Sequence, residues 1–538
     1  MWKRICLLSL VVLLAIGFSS PAFGEELVIL HTNDTHSSLF PFGPQDQYGG
    51  IARMSTMIKK LRSQNKNVLA FHAGDAFVGT FEFNKYLGYP ELKIMEGLYD
   101  AMALGNHEFD LGPEVLGYIL AGFNPVTAEP FGEPITLPIL CANANLENFS
   151  ILHSFVRPFM IERIGNLKIG VFGVVTDDPI YYSSNFPPIF QDPYQSSKRV
   201  AAYLKKEERC DLVIAISHLG MMSDVLDLSE VRGIDIIIGG HSHDEFFAPN
   251  VNGKIIVQAG ELGKNLGELR IDFNHDSRTI TCVDHVLHPI NRQIHEDPSL
   301  LRYLNDLREG IYQDPRFGPV YSQHIAKALW DHEEMWIDGD PHRQPSHRDT
   351  PLGNLVTDAI RTGIARAGYE VDCALEANGY IGHKIYAGKV VGNDLMRALP
   401  YGYDPVSGLG FKIEIVELSG TDLLKGLEYT VSMVEYTDEL SLQASGLTFE
   451  YDSGVTPFSR VNKDSIRING NRLYPDKGYS IALNEKLLDF LAMLGLSGNI
   501  IDPSPDIFEF NLVKDYMRRL NHLAYTSEGR IIDTAGWD

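Results

Sequence analysis

Cysteine, basic charge and long apolar runs are all scarce in this sequence, and each shortage removes a class of protein. The 538 residues include five cysteines, at 6, 141, 210, 282 and 373, with no Cys-x-x-Cys pair and no disulfide-framework spacing. A disulfide-stapled scaffold is therefore excluded. Cys141 and Cys210 adjoin apolar strands and read as buried thiols. Lys and Arg number 46 against 70 Asp and Glu, a formal charge of −24. So acidic a chain is a poor partner for nucleic acid or anionic lipid. An anionic substrate would have to meet local positive charge, from a metal or a few placed arginines. Only one apolar run stands out, Ile5 to Phe18, and it is too short to span a bilayer comfortably. Lys3 and Arg4 precede it and Ala22-Phe23-Gly24 closes it, which reads as a secretory leader cleaved before Glu25. An uncleaved anchor is the alternative. The expectation is an exported protein, periplasmic or secreted, with a mature charge of −26 once Lys3 and Arg4 leave. No other stretch looks transmembrane, and there is neither an internal repeat nor a low-complexity tract.

What the sequence does contain is a succession of short, nearly continuous Val/Ile/Leu runs. They are Leu27 to Leu30, Val68 to Phe71, Leu137 to Cys141, Lys168 to Val175, Leu212 to Ile216 and Ile234 to Ile238. Runs of that length suit strands buried on both faces of a layered α/β domain. Helical patterns lie between them, at Ile51 to Leu61 and Ser196 to Glu208. The length exceeds one ordinary core, so two domains are expected. The divisions are a catalytic domain over 25–292, a linker helix within 293–313 and a mixed α/β region over 314–538. In that last region Leu352 to Ala367 and Gly420 to Val431 read as helices. Lys412 to Leu418, Leu447 to Tyr451 and Asp464 to Ile468 read as strands, and Pro341 to Pro351 as an exposed connection.

Five apolar runs end the same way. After them come His31-Thr32-Asn33-Asp34-Thr35-His36, His72-Ala73-Gly74-Asp75, Gly105-Asn106-His107-Glu108-Phe109-Asp110, Ser217-His218, and Gly239-Gly240-His241-Ser242-His243. Any one of these is an ordinary turn sequence. Ligands of open α/β sheets, however, gather at the carboxyl ends of strands. Together the five loops would deliver Asp34, His36, Asp75, Asn106, His218, His241 and His243 to one place.

The order Asp-x-His, Gly-Asp, Gly-Asn-His-Glu, His, Gly-His-x-His resembles that of the calcineurin-like metallophosphoesterases. The continuation Gly-Asn-His-Glu-Phe-Asp-Leu-Gly is similar to the 5'-nucleotidase family, whose members include periplasmic UDP-sugar hydrolases. The resemblance implies a four-layer α/β/β/α domain followed by the family's mixed α/β C-terminal domain. It also implies two divalent ions. Asp34, His36 and His243 would hold one, and Asn106, His218 and His241 the other, with Asp75 shared. Such donors suit Zn, Mn, Fe or Co and do not choose among them. Two ions of this kind clamp a phosphoryl group and lower the pKa of a bridging water, which would attack phosphorus in line with the leaving oxygen. His107 matches the family's catalytic histidine, with Asp110 orienting it; Glu108 reads as structural and His72 as no ligand.

In the second half the match is looser. Arg348 falls where the family places a substrate-binding arginine, and Asn378 belongs to a Gly-rich loop in which the expected second arginine is Gly382. His383 or Lys384 would have to replace that charge, without a bidentate fork. Tyr401 matches one aromatic that stacks on a nucleobase; the second is either Lys486 or Phe490. The implied activity is hydrolysis of a phosphate ester, foremost a small nucleotide, with no nucleic-acid partner. A thiosulfohydrolase of the same two-domain layout, a cyclic-nucleotide or nucleotide-sugar phosphodiesterase, and an inactive binding protein are the rivals. Rotation of the second half about the linker helix is expected for binding and release.

Overall fold

The computed structural model describes residues 24–182, 189–334, 348–435, 439–496 and 498–535. The proposed leader before Gly24 and most of the 341–351 connection lie outside them. No helix among the described residues is long and apolar enough to cross a membrane.

Two sheets face each other in the first half. One has seven strands, in the order Thr279–Pro289, Asn265–Asn274, Gly24–Thr32, Val68–His72, Ala101–Ala103, Ile139–Leu140, Val156–Arg157, and its last five run parallel. The other has six, in the order Glu245–Val251, Lys254–Ala259, Ile236–Ile238, Leu212–His218, Leu167–Val175, Phe159–Ile164, with a parallel centre. The near-continuous apolar runs explain the layering. Leu27 and Ile29 enter the space between the sheets with Ile169, Val171, Ile214 and Ile236. Val28 and Leu30 point the other way, toward the helix Ile51–Gln64, whose Met54, Ile58 and Leu61 recur at helical spacing. On the opposite face Phe172, Val174 and Val213 pack against Ala201 and Leu204 of the helix Pro193–Lys206. The result is the expected α/β/β/α sandwich. That last helix starts three residues before the apolar pattern does. The Asp192 side chain accepts from the amides of Tyr194 and Gln195, and Pro193 fits the first turn.

The helix Pro298–Gln313 leads into the second half, with Leu304 and Leu307 in the first half's core and Ile311 in the second's. There a five-stranded sheet runs Leu442–Ser445, Cys373–Ala377, Gly478–Asn484, Lys412–Ser419, Asn499–Phe508. Helices Pro351–Arg366 and Glu509–Leu520 cover one face, and Gly420–Thr430 and Glu485–Met493 the other. The strand expected over Asp464 to Ile468 shrinks to Arg467–Ile468. Asn462 forms a turn that takes up Asp464 and Ser465, its side chain accepting from the Asp464 amide at 3.2 Å. Cys141, Cys210 and Cys373 are buried and free.

The halves interlock. Phe81, from a first-half loop helix, is fully buried in the second half's core, its ring 5.2 Å from that of Phe317 and 5.6 Å from that of Phe510. Next to it, Glu82 accepts from the Tyr321 hydroxyl, and the Phe81 amide donates to Asn393 Oδ1 at 3.1 Å.

Candidate metal centre

Five strands end at the same rim, and the loops that follow are zipped together by their backbones. The amides of Asp34, His36 and Ser37 donate to the carbonyls of Gly74, Asp75 and Ala76. The fit is close enough to require glycine. A Cβ on Gly105 would lie 2.1 Å from Asp75 Oδ1, and one on Gly74 would lie 2.5 Å from His218 Nδ1, at a φ of +88°. Asp34, His36, Asp75, His241 and His243 all sit at φ between 44° and 78°, where residues other than glycine are uncommon and which clusters at functional sites.

Six of the seven expected ligands converge in two clusters, and the seventh, Asn106, lines the same cavity. Asp34, His36 and His243 bring their donor atoms within 4.8 Å of one another, and so do Asp75, His218 and His241. The clusters adjoin: His218 Nε2 is 2.9 Å from Asp75 Oδ2 and 3.8 Å from Asp34 Oδ1. Each ring is turned by its other nitrogen. His218 Nδ1 donates to the Ala73 carbonyl at 2.6 Å and His36 Nδ1 to the Phe77 carbonyl at 3.2 Å, while His243 Nδ1 lies 2.9 Å from Glu261 Oε2. A carbonyl only accepts, so Nδ1 of His218 and of His36 carries a proton and Nε2 is the atom each ring turns inward. His36 Nε2 and His243 Nε2 approach to 3.1 Å. Asn106 Oδ1 is buried without a hydrogen-bond partner, and His218 Nε2 meets only the Asp75 carboxylate. Imidazoles oriented through one nitrogen, with the other turned toward buried carboxylates, are the donor set a transition-metal cation takes.

The electrostatics agree. Burial brings His36 down to about 4 and His241 down to about 3. Burial also opposes charge on His218, but Asp75 and Asp34 outweigh it and hold that ring up at about 9. Burial would raise Asp34, yet His243 and His218 hold it at about 2. The cluster thus demands positive charge at its centre.

His107 stands beside the cluster, with Nδ1 2.9 Å from Asp110 Oδ2 and Nε2 3.9 Å from Asp75 Oδ2. Burial opposes its charge, but Asp110 and Asp75 push its pKa up to about 9. Glu108 is structural, as its sequence suggested: its carboxyl accepts from the amides of Asp75, Ala76, Phe77 and Gly105 at 2.7–3.2 Å. Glu108→Ala would strand these four buried donors. We expect it to cost about 4 kcal/mol or more, since each unpaired buried group costs about 1–3, and to lower the thermal midpoint by several degrees in calorimetry. His72 is buried against the Thr35 hydroxyl at 3.0 Å, outside both clusters.

A cavity of about 530 Å³ opens beside these residues and is walled by both halves. Tyr401 lines it, its ring stacked on that of His107 with centroids 5.1 Å apart. Phe490 and Lys486 both line it, the first edge-on to Tyr429, the second donating to the Tyr182 carbonyl at 2.8 Å. Gly382 lines it with Pro400 so close that a Cβ would fall 2.6 Å from its Cγ, leaving no room for the family's arginine. Asn378 is buried between two lining residues, its Oδ1 accepting from Gln443 at 2.7 Å. Arg348 is exposed, pairs through its backbone with Ile532 and is not among the lining residues.

Three lining residues were not anticipated. Glu261 backs His243; Tyr181 sets its ring edge-on to His241, with centroids 4.6 Å apart; and Glu439 of the second half accepts from the Tyr181 hydroxyl at 2.8 Å. Glu261 had a signal, since it follows the strand Lys254–Ala259 at the same rim. Tyr181 and Glu439 come from irregular segments that carry none.

Comparison with known proteins bears on the same residues. Residues 27–245 match the calcineurin-like phosphoesterase model, and residues 334–492 match the model of the 5'-nucleotidase C-terminal domain. The chain is 28% identical to the snake venom 5'-nucleotidase of Naja atra over 95% of its own length and 99% of the relative's. The solved structure of a 5'-nucleotidase precursor from Thermus thermophilus superposes with a TM-score of 0.81 at 26% identity, covering 95% of this chain and all of that one. A sulfate thiohydrolase from the same organism shares the fold at a TM-score of 0.74 and 16% identity, over 96% and 98% of the two chains. With both models matched in succession and the loops of the first converged on one centre, the chain belongs to the 5'-nucleotidase family of calcineurin-like phosphoesterases.

Proposed function

We propose that the chain is an exported hydrolase of phosphate esters, nucleotides foremost, that works with two divalent ions. Its domains would be 25–292 and 314–538, joined by a helix within 293–313. Asp34, His36 and His243 would hold one ion and Asn106, His218 and His241 the other, with Asp75 between them. The observation that carries this reading is the pair of buried donor clusters, Asp34 with His36 and His243 and Asp75 with His218 and His241, which adjoin where His218 Nε2 lies 3.8 Å from Asp34 Oδ1. Bound ions supply Lewis acidity toward phosphoryl oxygens and lower the pKa of water. Zn, Mn, Fe and Co all suit such donors.

The rest is the work of the chain itself. His107, protonated at neutral pH, carries on Nδ1 the proton that Asp110 accepts, and presents Nε2–H toward the reacting group. It stabilises charge developing on phosphoryl oxygen and supplies the proton that the leaving oxygen needs. Tyr401, stacked against it, restricts the ring's rotation. Tyr401 and Phe490, on the cavity wall, are the substrate contacts in this reading; Asn378, behind the wall, would position its loop, and Arg348 would reach the substrate only by moving toward the cavity. The second half would cover the bound ester, and closure about the helical connector would exclude water.

The test is phosphate release from nucleotides, nucleotide sugars and simple phosphate esters, with and without Mn or Zn. Activity should fall to background in EDTA and return when the metal is added back. Metal-independent turnover would refute the reading. Sulfate released from an S-linked thiosulfonate, with no phosphate released from any ester, would favour the thiosulfohydrolase instead.

A further inference from the structure

The cavity is much larger than a phosphoryl group requires, and its second-half wall is rich in leucine, with Glu334, Glu439, Glu485, Lys486 and Asp489 as its charged members. It runs among the helices Gly420–Thr430 and Glu485–Met493 and the strands Cys373–Ala377, Lys412–Ser419 and Gly478–Asn484. Ten leucines of this half line it, among them Leu375, Leu418, Leu423, Leu427, Leu483 and Leu491. The first five of these are 5% exposed or less and belong to the apolar core of this half, so the cavity abuts that core. Three of the polar groups on the same wall are already engaged. The Thr430 hydroxyl donates to the Leu427 carbonyl at 2.9 Å, Glu485 accepts from the Lys412 amide at 3.1 Å, and Glu439 holds Tyr181.

A nucleobase has ring nitrogens and exocyclic groups that need partners when buried, and leucine offers none. The aromatic side chains are partly taken: Tyr401 has His107 against one face, and Phe490 and Tyr380 meet Tyr429 and Phe411 edge-on. A hydrocarbon chain needs no partners and gains from every methylene it buries.

We infer that this chamber takes an alkyl chain on the leaving alcohol, which makes monoalkyl phosphates a further substrate class of the enzyme. The inference rests on the phosphoesterase reading. In the reaction, water oxygen bonds to phosphorus as the bond between phosphorus and the alkyl oxygen breaks. One proton of the water ends on the alcohol and the other on the phosphate, and nothing is oxidised or reduced. The phosphate end would lie at the metal ligands, and the chain among the leucines.

The experiment compares methyl, butyl, octyl and decyl phosphate, each below its micellar concentration, with AMP as reference, on the full Mn-loaded chain. kcat/KM should rise by roughly threefold per methylene until the chamber is full. Gly426→Phe supplies the second arm. Gly426 lines the cavity within a helix, without a positive φ, and the nearest atom to its added Cβ is Leu496 Cδ1 at 4.0 Å. The phenyl ring should therefore fill the chamber and cut the ratio of decyl to methyl phosphate turnover by at least about tenfold, given what each methylene contributes. Lys425→Ala, an exposed change on the same helix, should leave that ratio alone. AMP hydrolysis with no dependence on chain length, or a ratio unmoved by Gly426→Phe, overturns the chamber's role and leaves the phosphoesterase standing. Failure to hydrolyse any ester, AMP included, overturns the phosphoesterase reading and this inference with it.

Discussion

Replacing His107 by alanine should lower kcat by about 10²- to 10⁴-fold, the range for loss of a positioned acid, while the purified protein keeps its metal content. The two effects separate because different parts of the residue are involved. The imidazole faces the reacting group, held by Asp110 at 2.9 Å, whereas the contact that helps fix Asp75 is the His107 backbone amide, donating at 2.9 Å. Alanine removes the first and keeps the second. Asp110→Asn should give a smaller loss and move the alkaline limb of the kcat profile to lower pH. Asp110 heads the interactions that raise the imidazole to about 9 against burial, so without it the ring gives up its proton earlier. Turnover at the wild-type rate in the alanine variant would remove His107 from the mechanism.

The largest loss is expected at Asp75. Its carboxylate lies 2.9 Å from His218 Nε2 and 3.9 Å from His107 Nε2, at the junction of the two clusters. Asp75→Ala leaves the imidazoles without the charge between them. Metal per chain, read by plasma emission, should fall below one, and kcat/KM should fall by about 10³-fold or more, corresponding to several kcal/mol of charge stabilisation. Asp75→Glu should do little better. The contact that forbids a Cβ at Gly105 shows how tightly the shorter carboxylate is boxed, with no space for one more methylene. A variant that keeps two ions and full turnover would show that Asp75 is not shared.

The first half was legible because each buried strand ends where its chemistry begins. An apolar run such as Leu212 to Ile216 announces both a strand and, at its end, His218. The roles of the loops depend only on their lying at one rim, and parallel order guarantees that. Glu261 escaped because the run Ile255 to Val257 was not counted as a strand, although it ends at the same rim. The second half gave up its helices and the strands Lys412–Ser419 and Leu447–Tyr451, but not the third strand, since Asn462 turns the chain where alternation alone predicts extension. Its substrate contacts were hardest to read. Whether Arg348, Asn378 or Phe490 faces the cavity depends on how two separately folded sheets meet, and no local pattern encodes that. The apolar chamber is of the same kind: its leucines read as ordinary core positions until the helices around them leave a space.

Phe81 makes the meeting of the halves more than a matter of the connecting helix. Its ring plugs a socket built from Phe317, Tyr321 and Phe510, some 230 or more residues further along the chain. Removed from its neighbour, the first half would carry an uncovered aromatic stud and the second an unfilled hole, each a defect in an otherwise complete core. The molecule therefore has two joints, one covalent and one mechanical. Any swing of one half against the other must turn about the stud without withdrawing it.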